Sequence, residues 1–130
     1  MNADFETELA HPAGTYRRLP SFDVLNHQLA AHLLWLTSPG DALLLEEPWS
    51  GHLQREARRR EVELVSTAQA AHQESRVFTP WGWTPSAVAT GVRSGAIVRP
   101  IPFSTVARVN SKLWSHALEV ELGLSLPGAA

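Results

Sequence analysis

The chain has 130 residues, 44% of them apolar, and a formal net charge of −2. That length suits one domain with its own core, since a chain of this size buries roughly two-thirds of the surface its unfolded form exposes. The near-neutral balance offers no general attraction to nucleic-acid backbones or anionic membranes, and the lack of cysteine excludes a disulfide framework and thiolate zinc sites.

Residues 1–20 read as an irregular N-terminal arm, punctuated by Pro12, Gly14 and Pro20 and pinned at most by Phe5, Leu9 or Tyr16. Asp4, Glu6 and Glu8 interrupt its start, so it does not read as a secretory signal. Ser21 to Thr37 predicts the strongest helix, capped by Ser21. Phe22, Leu25, Leu29, Leu33 and Leu36 form one stripe, widened by Val24, Leu34 and Trp35 into a face that expects burial against a sheet. The run Leu29–Leu36 is too short to span a bilayer. Ser38-Pro39-Gly40-Asp41 is a turn, and Ala42 to Leu45 is an unbroken apolar run of strand length, the pattern of a parallel strand buried on both faces.

Gly51 to Arg60 predicts a helix with Leu53 and Ala57 inward and the four arginines largely outward; Glu56 and Arg60 stand in the favourable i,i+4 order. Val62 to Val65 predicts the next strand, Thr67 to His72 a short helix, and Arg76-Val77-Phe78 a third strand. Thr84 caps a helix with Pro85 at its first position, ending near Gly95. Ala96-Ile97-Val98 is a further short strand closed by Pro100 and Pro102, and Phe103 to Val109 is a helical turn. Residues 110–123 form the closing helix, capped by Asn110 or Ser111 and stopped by Gly123. The alternation predicts an α/β fold: a small three-layer Rossmann-like domain over residues 21–126, with a short, mostly parallel sheet flanked by helices. No G-x-G-x-x-G fingerprint, P-loop or G-x-S-x-G elbow occurs, and the six histidines show no metal-ligand spacing, so no metal site is expected.

The closing stretch carries a resemblance. Asn110-x-Lys112, then a helix ending in Glu121-Leu122-Gly123 and followed by Leu124-Ser125-Leu126-Pro127, resembles the junction that leads into the ATP-grasp domain of ATP-dependent carboxylate–amine ligases. The resemblance covers about twenty residues. It implies that the chain is the pre-ATP-grasp domain of such a protein, with residues 127–130 starting a linker to an ATP-grasp domain supplied in cis or in trans. It further implies ATP and Mg²⁺ as cofactors of the full-length enzyme but none for this chain alone; the charge balance, the short apolar runs and the lack of cysteine set the companion expectation of a cytoplasmic protein with no nucleic-acid or membrane partner. It also implies that Lys112 reaches the nucleotide phosphates, a point charge beside a helix N-terminus. Read from the residues alone, Lys112 is an exposed lysine in a first helical turn. The alternative for the whole chain is a stand-alone interaction or homodimerisation module without catalysis.

Two loops are substrate-cleft candidates. In Pro80-Trp81-Gly82-Trp83-Thr84-Pro85, Gly82 permits a tight path and the tryptophans offer flat surfaces before a helix N-terminus. Trp81, Gly82, Trp83 and Thr84 either hold a ligand or plug the core and dock on other domains. Glu47 and Trp49, beside Glu46, follow the first strand, where open parallel sheets place ligand loops; a solvated strand end is the competing reading.

Overall fold

The computed structural model describes residues 2, 4–66, 68–69 and 75–124. Among them are six α-helices, one 3₁₀ helix and two strands: α1 Phe5–Leu9, α2 Pro20–Ala30, the 3₁₀ helix Ala31–Leu36, β1 Ala42–Leu44, α3 Gly51–Arg59, β2 Glu63–Val65, α4 Pro85–Arg93, α5 Phe103–Val109 and α6 Lys112–Glu121. The molecule is mixed α/β with parallel pairing. Of the expected helix at Thr67 to His72 only residues 68–69 are described, as a turn, and the linker at 127–130 lies outside the described residues.

β1 pairs with β2 in parallel, Ala42 opposite Glu63 and Leu44 opposite Val65, with α3 as the crossover. Backbone bonds continue the ladder at both ends, from Gly40 N–H to Glu61 O (2.8 Å) and from Leu45 N–H to Val65 O (2.9 Å). A second parallel pairing is only one bridge long, Val77 to Ile97, with α4 between its two segments. Its hydrogen bonds are Phe78 N–H to Ile97 O (2.9 Å) and Ile97 N–H to Arg76 O (2.8 Å). Pro80 and Pro100 follow within three residues of the bridge, and neither can donate to a longer ladder. Among the described residues no backbone ladder joins the two pairings into one sheet, although Arg76 Nη1 reaches Glu63 Oε2 at 2.8 Å. Gly91 lets α4 approach the second pairing, since a Cβ there would stand 2.6 Å from the Phe78 ring and 2.9 Å from Val98.

The main core gathers around the first pairing. Ala30, Leu34, Leu43, Leu45, Leu53, Ala57 and Val62 are buried together, with Trp49 and Leu64 packed at the margin. Ser50 caps α3 by accepting from Leu53 N–H (3.1 Å), which aims Leu53 and Ala57 inward as their spacing predicts. Arg59, not Arg60, pairs with Glu56 (2.9 Å); the Arg60 guanidinium instead lies 4.2 Å from the centre of the Trp35 ring.

Two expectations need correction. The arm is not irregular throughout: α1 occupies residues 5–9. The expected helix from Ser21 to Thr37 is two helices. It starts with Pro20 at the first position after Leu19, so Ser21 is not the cap, and it tightens to 3₁₀ at Ala31. Each 3₁₀ residue turns about 20° further than an α residue, so six of them rotate the apolar stripe by about 120°. The buried line is therefore Asn26, Ala30 and Leu34, while Trp35 and Leu36 are 73% and 71% exposed. Leu34→Ala should cost about 3 kcal/mol in urea unfolding, the usual range for a buried leucine, and Leu36→Ala under about 0.5 kcal/mol. The uniform α-helical stripe would instead make the two losses comparable.

Candidate functional site

The two parallel units leave a broad cleft of about 1440 Å³ between them, lined by β1 and Glu46–Pro48 on one side and by Arg76–Trp81 on the other. Trp81 and Glu47, both expected near a ligand, line it; Trp81 is 58% exposed, and Glu47 Oε1 accepts a hydrogen bond from Gln69 at 3.3 Å. Arg93 from α4 and His27 from α2 add polar groups to a largely apolar wall. A mixed cleft of this kind fits a ligand with a hydrophobic body and a few polar ends.

The other candidates sit elsewhere. Thr84 is fully buried and caps α4, its hydroxyl accepting from Ala87 N–H (3.3 Å). Trp83 is half-buried and meets Phe78 edge-on, with ring centres 6.2 Å apart. Trp49 donates from Nε1 to Leu45 O (2.9 Å) and packs on the main core, away from the cleft. Gly82 is buried, and it is glycine because a Cβ there would run into the Phe5 ring. Lys112 is exposed at the start of α6, outside the cleft, beside Ser111, which caps the helix by accepting from Trp114 N–H (3.4 Å). Asn110 instead donates to Val106 O (2.9 Å) at the end of α5. Leu124 N–H to Glu119 O (2.8 Å) and Gly123 N–H to Val120 O (3.1 Å) close α6 around a left-handed Gly123.

What the residue pattern did not reveal is the polar face of the arm. Asn2 forms a two-bond pair with the Gly82 backbone: its Nδ2 donates to the carbonyl (3.0 Å) and its Oδ1 accepts from the N–H (3.2 Å). Glu8 reaches the first turn of α4, accepting from Ser86 N–H (2.9 Å) and from Ser86 Oγ–H (2.5 Å). A carboxylate there meets unpaired amides and the positive end of the helix dipole. The buried Asp4 carboxylate accepts from Arg18 Nε (2.7 Å) and Asn26 Nδ2 (3.4 Å). Burial alone would raise the Asp4 pKa; the hydrogen bond and charge of Arg18 outweigh it and hold the carboxyl below its ordinary value. Burial likewise works against the Arg18 charge, and Asp4 more than restores it. The buried Tyr16 hydroxyl makes no hydrogen bond of good geometry, yet burial and then the nearby Asp4 carboxylate push its pKa up. The one local signal was a pair of i,i+4 repeats, Asp4–Glu8 and Phe5–Leu9, compressed into a single turn and a half.

Comparison with known proteins finds no matching family model, curated protein or solved structure.

Gly82→Ala should displace Phe5 and destabilise the protein by about 1–3 kcal/mol in denaturant titration, with a matching change in the Phe5 ring resonances. A second expectation follows from Asp4. Its folded pKa is depressed, so its stabilisation is complete above the unfolded value of about 4 and is lost as pH falls through the folded one. Asp4→Asn should lower stability by about 2–3 kcal/mol at neutral pH and flatten the stability–pH slope below pH ~4, measured by urea titration across pH.

Proposed function

We propose that the chain is the domain that precedes the nucleotide-binding half of an ATP-grasp, carboxylate–amine ligase-like protein, with a Rossmann-like arrangement of its parallel units. In that role it forms part of the wall of the substrate and nucleotide cleft and is not catalytic alone. The observation that carries this reading is the junction at the end of the chain. Asn110-x-Lys112 opens a capped ten-residue helix, and Gly123 closes it in the left-handed conformation. Lys112 stands exposed in its first turn and makes no ion pair among the described residues. Two parallel units bridged by helices, with the Glu46–Pro48 and Pro80–Trp81 loops lining one cleft, also support it.

Lys112, a mobile cation beside unpaired helix amides, suits the phosphates of ATP. Among the described residues no group of three or more His, Asp or Glu could hold a metal, so Mg²⁺ would take its ligands from the ATP-grasp partner domain, in cis or in trans. ATP supplies the phosphoryl group that activates a carboxylate for attack by an amine; this chain contributes the cleft wall and the Lys112 charge. Among the described residues no helix is long and apolar enough to cross a membrane.

A second reading is favoured by one observation. α6 has no buried residue and carries apolar groups in the open, Leu113 at 85% exposure with Val120 and, just past its end, Leu124 also exposed. Such a stripe suits association with another protein or a second copy, without catalysis.

The protein isolated at its native length should hydrolyse ATP only with an amine acceptor present. Lys112→Ala should raise the KM for ATP roughly tenfold, about 1.4 kcal/mol, and leave the melting temperature unchanged because the side chain is exposed. Absence of amine-dependent hydrolysis, with concentration-dependent association lost on Leu113→Glu, would instead establish the interaction module.

A further inference from the structure

The arm is held in a way the rest of the molecule is not. Its buried residues, Asn2, Asp4 and Glu8, are all polar, and none belongs to the main apolar cluster. α1 has five residues, far below the length at which a helix stands alone, so tertiary contacts keep it formed. Those contacts fall in two places. At one end Asp4, paired within the arm to Arg18, accepts from Asn26 of α2, and Arg18 Nη1 lies 3.8 Å from Asp23 Oδ1 of α2; at the other Asn2 and Phe5 seat Gly82, and Glu8 caps α4 at Ser86. Between α1 and Arg18 the chain runs mostly exposed through Pro12 and the left-handed Gly14.

Both ends border the cleft. Asn2 and Arg18 line it, as do Asn26, Trp81 and Ser86, so the arm bridges α2 and α4 across its polar end. A segment tied to the rest by hydrogen bonds and the single ion pair of Arg18 with Asp23, and adding nothing to the main apolar cluster, is a separate opening unit: it can leave at lower cost than global unfolding.

We propose that Asn2 and residues 4–18 form a strap that opens as one unit, freeing the Pro80–Thr84 loop and the start of α4 and widening the polar end of the cleft. This does not rest on the ligase reading. Closed, the strap fixes Gly82 and hence the backbone next to Trp81. Open, it exposes the α4 amides that Glu8 covers and releases the Phe5 ring from Gly82. The contacts at its two ends are then thermodynamically linked, because α1 is too short to hold either end in place without the other.

That linkage is the test. Asp4 and Arg18 make no hydrogen bond or ion pair with Gly82 or Ser86, so weakening the α2 end reports on the far end only if the strap moves as a unit. Amide hydrogen exchange of the full chain, resolved by NMR, should show Gly82 and Ser86 exchanging about 10–100-fold faster in Asp4→Asn and in the milder Arg18→Gln. The amides of Leu45 and Val62, which sit in the core ladder and at the end of α3, should exchange through a separate, larger opening, with greater protection and a steeper dependence on urea than Gly82 and Ser86. Unchanged exchange at Gly82 and Ser86 in both variants would overturn the strap, since its ends would then be independent. Equal protection and equal urea dependence at all four amides would overturn it too, since the arm would then belong to the single cooperative core.

Discussion

A buried carboxylate organises much of this molecule. The Asp4 side chain has no exposed surface, and a charge so placed is tolerated only when paired and hydrogen-bonded. Arg18 comes back along the chain to supply the cation, Asn26 of α2 supplies an amide, and Tyr16 closes over the pair. With Asp4 fixed, the next turn of α1 can only present Phe5 to Gly82 and Glu8 to Ser86. The ion pair holds the N-terminal segment together, and Asp4, Asn2, Phe5 and Glu8 then join that segment to α2, the tryptophan loop and α4 in a single frame around the cleft.

The same frame explains why the candidate residues part ways. Within Trp81-Gly82-Trp83-Thr84, Gly82 and Thr84 are turned into the protein, one against Phe5 and one as the α4 cap, and Trp83 leans on Phe78. Trp81 is then left outward over the cleft. In the first loop Trp49 returns to its own strand end through Leu45, and Glu47 faces the cleft. The second loop thus spends most of its side chains on holding its own shape and presents Trp81, while the first keeps Trp49 for its own strand end and presents Glu46 and Glu47.

The two parallel units differ for a local reason with a global consequence. β1 and β2 are flanked by residues that can donate, so their ladder runs past both ends. The Val77–Ile97 pairing meets Pro80 and Pro100 at once and stops at a single bridge. The gap between the units is the cleft, so a composition effect on hydrogen bonding shapes the candidate site.

Much of the secondary structure was legible without coordinates. Thr84-Pro85, Ser111 and Gly123 mark helix ends because their chemistry acts within a few residues, and Ala42–Leu45 reads as a buried strand from its own side chains. Leu53 and Ala57 point inward as their spacing requires. Tertiary structure alone decided the rest. The shift to 3₁₀ at Ala31, which exposes Trp35 and Leu36, is not written in the apolar spacing that precedes it. Nor is the role of the arm: the partners of Asn2 and Glu8 lie 80 and 78 residues away, and a bond at that separation leaves no local period to read. Local chemistry determined where elements begin and end; only the packed chain determined which polar groups had to find one another out of water, because that requirement arises with burial itself.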